Sequence, residues 1–174
     1  MANETWEITD LRYGCKPIGC KRVFKKKLSH DGTIEKYKAQ LVEKGYTQKE
    51  GEDFFDTYSP MARLITIRVL LSLAASHGLL IHQMDVKTAF LNGEVDEEIY
   101  IEQPDGFVID GQVGKVCKLL KSLYGLKQAP KQWHEKFERT LTAAGFVVNE
   151  ADKCVYYAMV GVRELSFACM LMTY

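Results

Sequence analysis

The order of apolar and polar positions divides this chain into strand-like and helix-like stretches. From Ile18 to Lys27 and from Thr33 to Val42, apolar and aromatic residues interleave with charged ones, and Asp31-Gly32 between them is a hairpin turn signal. Gly45 to Ser59 reads as a loop, with Phe54, Phe55 and Tyr58 as anchors to the core. Ser59-Pro60 is expected to open a helix, in which Leu64, Ile67, Leu71 and Ala74 recur at helical spacing and Gly78 stops the run. Leu79 to Met84 then reads as a buried strand with His82 as a core residue, and Asp85 closes it. A short strand is expected around Ile99 to Ile101, a turn at Pro104-Asp105-Gly106 and a loop from Asp110 to Gly114; Val116 to Leu120 fits a strand or a helix start equally. A second helix opens within Tyr124 to Trp133, with Pro130 in its first turn, Trp133, Phe137 and Leu141 along one face and Gly145 closing it. A turn from Asn149 to Lys153 leads to a last strand, Cys154 to Val160.

Length and composition narrow the class. The 174 residues suit one domain, and 47% apolar content is enough for a sizeable core. No run nears the roughly eighteen apolar residues of a membrane span, and no signal peptide is apparent, so the expectation is a soluble, intracellular and cytoplasmic protein without a membrane partner. The cysteines, five in number and scattered without a CxxC pair, are expected as reduced core thiols rather than zinc ligands.

Net charge is zero, but the charges are segregated. Lys16 to Lys49 holds ten basic and three acidic residues, whereas Glu94 to Asp105 holds six acids and no base. The lysines of the first two strands would stud their hairpin with positive charge, which can neutralise phosphates. The plainer reading is a solvated face.

The candidate chemistry centres on IHQMDVKTAFLNG, residues 81–93. A carboxylate projecting beyond a strand can hold Mg²⁺ beside phosphate oxygens, although an acid in that place is more commonly a cap or an ion-pair partner. Lys127 and Gln128, just ahead of the second helix, are placed where a phosphate or a base edge could be met.

Four stretches in order, YKAQLVEKGYTQKEGEDFFDTYSPMAR, IHQMDVKTAFLNGEVDEEIYIEQPDGF, VCKLLKSLYGLKQAPKQWHEKF and NEADKCVYY, resemble the reverse transcriptase domain of Ty1/copia-type retrotransposon Pol polyproteins, and KPIGCKRVFKKK fits as well. The resemblance implies an α+β right-hand polymerase fold, with an antiparallel palm sheet backed by helices and no thumb. Residues 16–60 would be fingers-like, 61–160 palm-like and 161–174 a divergent tail of a partial domain. It implies template-directed synthesis of DNA from deoxynucleoside triphosphates on an RNA or DNA template-primer, with two Mg²⁺ ions, or Mn²⁺ in their place. Further partners would be the rest of a Pol polyprotein, with integrase and RNase H. Asp85 matches the first catalytic, metal-binding aspartate, and Val86 the residue whose carbonyl helps hold a metal. Lys87 and Thr88 match the turn approaching the triphosphate, Phe90 the bulky residue beneath the sugar, and Gln128 the residue lying against the incoming nucleotide and template. Lys25, Lys27, Lys36 and Lys38 would meet nucleic acid.

Two side chains depart from the family pattern: Gln40 stands for an arginine and Arg22 for a tryptophan. The family's second acidic strand, Tyr-Val-Asp-Asp, does not occur in this sequence. Codons for Cys169 to Tyr174 shifted by two nucleotides could encode it, which raises a frameshift as its origin. With Asp85 alone the chain is expected to be inactive by itself. The alternative is a catalytically dead nucleic-acid-binding fragment of a decayed retroelement, whose apolar stretches Val155 to Val160 and Leu165 to Leu171 would lack sheet partners.

Overall fold

The structure, a computed structural model, describes residues 4–108, 111–160 and 164–170, the side chains of 160 and 164–166 excepted. It divides into two compact units, one of residues 1–57 and 88–133, the other of residues 58–87 and 134–174.

In the first unit β1 (Trp6–Thr9), β4 (Tyr100–Glu102) and β5 (Val116–Leu119) form an antiparallel sheet in the order β1-β5-β4. The ambiguous stretch after Lys115 is therefore a strand. Strands β2 (Cys20–Leu28) and β3 (Ile34–Glu43) make the expected hairpin. Its turn is fixed locally: Gly32 takes a positive φ of 82°, and the Asp31 carboxylate accepts from Thr33 N (3.0 Å) and Thr33 Oγ1 (2.6 Å). A parallel bridge from Ile18 to Ile101 leads into the hairpin. Ile18, Ile99, Ile101, Cys117, Leu119 and Leu126 close the core between these elements. The acidic segment is engaged here: Glu98 pairs with Arg12 (2.6 Å) and Lys118 (3.1 Å) and accepts from the Tyr100 hydroxyl (2.9 Å).

The second unit holds α1 (Leu64–His77), the larger part of α2 (Ala129–Ala143), and an antiparallel sheet of β6 (Val147–Val148), β7 (Val155–Val160) and β8 (Glu164–Cys169) in the order β6-β7-β8. Tyr156 on β7 is fully buried, its ring edge-on to Phe137 of α2 at 5.6 Å between centroids.

Four expectations need correcting. Helix α1 starts at Leu64, not at Ser59-Pro60. Its start is set from a distant segment: Asp152 accepts from Arg63 N at 3.2 Å, and an acceptor at the first turn outweighs the local Ser-Pro signal. Leu79 to Met84 forms no strand; Leu79, Leu80, Ile81 and Met84 are exposed, and so is His82. A strand exists only through a ladder partner, and among the described residues none pairs with this run. The β7 strand does have a partner, since Val155 to Val160 pairs in register with Cys169 to Glu164. The described strands lie in three small antiparallel sheets. Phe54 is buried as an anchor, but Phe55 and Tyr58 are exposed.

Candidate functional site

Three stretches far apart in sequence meet in the first unit. The first follows Thr88, whose φ of 53° is left-handed and uncommon for a β-branched residue. Its carbonyl accepts from Leu91 N (2.9 Å) and Asn92 Nδ2 (3.2 Å), so the turn Ala89–Asn92 winds tightly. That winding sets Phe90 edge-on to Tyr124, with ring centroids 4.8 Å apart. Phe90 is thus half-buried against the core.

The second and third stretches, Gly45 to Asp53 and Tyr124 to Gln128, are stitched together by amides. Gln48 Nε2 donates to Gln128 Oε1 at 3.0 Å, and Gln128 Nε2 donates to the Asp53 carbonyl at 3.1 Å. Lys127 N donates to Gln48 Oε1 (2.8 Å), while Lys127 Nζ donates to the Gln48 carbonyl (3.0 Å) and lies over the Phe54 ring at 4.7 Å. Gln128 and Gln48 are both buried. The Gln128 amide, expected to lie against a nucleotide, spends its donor and its acceptor inside the protein. Lys127 is engaged in the same way.

Beneath this clamp the two chain segments cross with no side chain between them. Glu43 N donates to the Tyr124 carbonyl at 2.7 Å. A Cβ on Gly45 would collide with the Gly125 carbonyl, and one on Gly125, whose φ is 100°, with the Glu43 carbonyl. Only glycine fits either position. The crossing buries the Glu43 carboxyl with no hydrogen-bond partner on either oxygen, and burial, aided by the nearby Glu102, raises its pKa to about 8.

Asp85, Val86 and Lys87 belong to the second unit and are exposed. Asp85 does not close a strand, and it makes no hydrogen bond or ion pair among the described residues. Asp152 is the acid of this unit with a built environment. Burial alone would raise its pKa, but the Thr66 hydroxyl, Cys154 N and Arg63 hold it below the usual range. Among the described residues no group of three or more His, Cys, Asp or Glu side chains is placed to hold a metal ion.

The hairpin lysines are all exposed. Lys25 lies directly opposite Lys38, and Lys27 opposite Lys36, so the four share one face.

The family described as reverse transcriptase (RNA-dependent DNA polymerase) matches residues 3–171. The chain belongs to this family. The chain is 49% identical over 155 residues to the Retrovirus-related Pol polyprotein from transposon TNT 1-94 of Nicotiana tabacum, a stretch covering 89% of the chain and 12% of that polyprotein. It is 39% identical over 157 residues to the Pol polyprotein from transposon RE1 of Arabidopsis thaliana, covering 90% and 11%. It is 35% identical over 147 residues to the Ty1-ER2 Gag-Pol polyprotein of Saccharomyces cerevisiae, covering 79% and 8%. The chain therefore spans about an eighth or less of these Ty1/copia-type relatives. No solved structure matches it.

Against the sequence expectations, the structure adds three residues that local pattern did not single out. Gln48 looked like one polar residue in a loop, and Asp152 like part of a turn. Glu43 carried no signal at all, since its acid sits among strand residues whose burial is a tertiary fact. The matched stretch, residues 3–171, takes in β8.

Proposed function

We propose that this chain is the template- and nucleotide-handling part of a reverse transcriptase that works within a Pol polyprotein, alongside integrase and RNase H, and that it has no polymerase activity alone. The supporting observation is that Asp85 stands as a single exposed carboxylate, with no cluster of three metal-ligating side chains among the described residues. Two-ion nucleotidyl transfer needs several carboxylate oxygens to bind Mg²⁺ or Mn²⁺ tightly. Among the described residues Asp85 and the Val86 carbonyl do not amount to that donor set.

The residues of this chain have positioning roles in this reading. Phe90, braced by Tyr124, presents a rigid ring close in sequence to Thr88, which would face the incoming nucleotide. A fixed aromatic at that place rejects a 2′-hydroxyl by steric exclusion. Gln128 acts indirectly, holding the 45–53 loop in place through Gln48 and Asp53.

The family match through β8 favours a tail read in frame over a frameshift. Nucleotide sequence tests the shift, which requires TGT at Cys169 and TTG at Leu171; other codons there overturn it. Primer extension with deoxynucleoside triphosphates and Mg²⁺ or Mn²⁺ tests the main reading. No extension is expected from residues 1–174; measurable extension would refute it.

A second reading, a catalytically dead nucleic-acid-binding fragment, is favoured by the four lysines opposed on one hairpin face. It predicts salt-dependent binding of template-primer even where a chain extended by the missing acids fails to polymerise.

A further inference from the structure

Asn92-Gly93 is the one Asn-Gly pair in the sequence; Asn3 and Asn149 are each followed by glutamate. Packing demands the glycine. A Cβ at 93 would lie 3.2 Å from Gln132 Cβ and 3.3 Å from both the Gln132 carbonyl carbon and the Phe90 carbonyl oxygen, so the turn sits directly on the start of α2. Gly93 is buried, and its carbonyl accepts from Ser122 N at 2.9 Å. Asn92, by contrast, is exposed.

An asparagine followed by glycine is set up for an intramolecular reaction, because no side chain on the next residue shields its backbone nitrogen. That nitrogen attacks the asparagine Cγ. The N–Cγ bond forms, the Cγ–Nδ2 bond breaks, and the side-chain amide leaves as ammonia with the proton of the attacking nitrogen. Water then opens the succinimide ring: attack at Cγ gives aspartate, and attack at the main-chain carbonyl carbon gives isoaspartate, with the chain rerouted through Cβ and Cγ. No oxidant or reductant enters the balance. In the folded chain both reacting groups are tied elsewhere. Gly93 N donates to the Phe90 carbonyl at 3.0 Å, and Asn92 Nδ2 donates to the Thr88 carbonyl at 3.2 Å, which draws the side chain back along the turn, away from the nitrogen that follows it. Reaction therefore needs the turn Ala89–Asn92 to open.

We propose that Asn92 is a site of spontaneous deamidation, gated by opening of the turn Ala89–Asn92, and that either product holds the turn open. Aspartate brings a carboxylate up to the Thr88 carbonyl where an amide donor stood, so two oxygens repel. Isoaspartate adds a backbone atom between residues 92 and 93, and the bonds from Gly93 N to Phe90 and from Ser122 N to Gly93 do not both survive that lengthening. Thr88 holds its left-handed φ of 53° with two donors on its carbonyl, and after conversion Leu91 N alone remains of them. The turn that fixes Phe90 against Tyr124 is thus where the molecule ages, whether or not the chain handles a nucleotide.

The test incubates the full chain at mildly alkaline pH, native and in urea, and follows it by tryptic mapping and mass spectrometry. Peptide 88–115 holds Asn92 as its one asparagine and gains about one dalton on conversion. The unfolded chain is expected to convert, and the native chain at a rate roughly tenfold or more lower. Phe90→Ala removes the ring that braces the turn and should move the folded rate several-fold toward the unfolded one. Circular dichroism checks that this variant folds; if it does not, the parent in urea below its unfolding transition takes its place. In Asn92→Asp the amides of Leu91 and Gly93 should exchange hydrogen faster than in the parent while those of β4 and β5 keep their rates. Equal native and unfolded rates would overturn the gate. So would native and loosened chains that both gain no mass while the unfolded chain converts. Unaltered exchange at Gly93 in Asn92→Asp would overturn the claim that the product holds the turn open. Faster conversion of Asn3 or Asn149 than of Asn92 in the unfolded chain would overturn the assignment of the site.

Discussion

Glu43 makes the sharpest statement at the level of single residues. A carboxyl raised from 4.5 to about 8 by burial is protonated in the folded chain at pH values where the unfolded chain has lost its proton. The folded state then binds more protons between those two pH values, so stability falls as pH rises from about 4.5 to about 8, by an amount on the order of a few kcal/mol. Denaturant melts across that range should show the decline, and Glu43→Gln should flatten it and raise stability at pH 8. Asp152 acts with the opposite sign. Its pKa is held below 3.8, so its contribution is full above that value and lost as pH falls beneath it. Asp152→Ala should cost about 2 kcal/mol at neutral pH, because Arg63 N, Thr66 and Cys154 N lose one shared acceptor. Gly125→Ala should cost on the order of 3 kcal/mol or prevent folding, since the new methyl meets the Glu43 carbonyl at a positive φ. Thermal melts of the purified variant read either outcome.

Among the elements, those whose cause is local were legible and those whose cause is distant were not. The β2–β3 hairpin could be read because Asp31, Gly32 and Thr33 fix its turn by themselves. Helix α2 could be read from Pro130 and its spacing, and the end of α1 from Gly78, which adopts the left-handed conformation at φ 62°. The start of α1 depends on Asp152, 89 positions away, and the strand expected over Leu79 to Met84 depends on a partner that local pattern cannot supply. The site divided along the same line. The resemblance pointed to Thr88, Phe90 and Gln128 as candidates, but that Gln128 would be sealed against Gln48 and Asp53 followed only from the loop crossing. The hairpin also carries a cost that the proposed nucleic-acid contact would explain. Two pairs of lysines directly opposite each other repel, so Lys36→Glu should stabilise the hairpin by about 0.2–1 kcal/mol while weakening duplex binding. A variant that becomes more stable and binds less tightly separates selection for phosphate contact from selection for folding, and a denaturant melt beside a binding isotherm measures both.

For the molecule as a whole, the two units are unequally built. The first has a continuous buried core drawn from β4, β5, the 3₁₀ turn region and the segment leading into α2. In the second, α1 buries Ala74 alone among its residues, while Leu64, Ile65, Val69, Leu71 and Leu73 remain exposed, followed by the exposed run from Leu79 to Met84. A helix draws most of its stability from packing an apolar face, and here that face is largely in water. Native-state hydrogen exchange should therefore rank the elements: amides of β4 and β5 exchange slowest, near the rate set by global unfolding, and those of α1 exchange faster by orders of magnitude through local opening. The same exposed apolar surface should bind the dye ANS in the folded chain and release it when a longer Pol segment is expressed together with residues 1–174. Uniform protection across both units, or a folded chain that leaves the dye unbound, would show α1 to be covered in solution and its weakness to be misread.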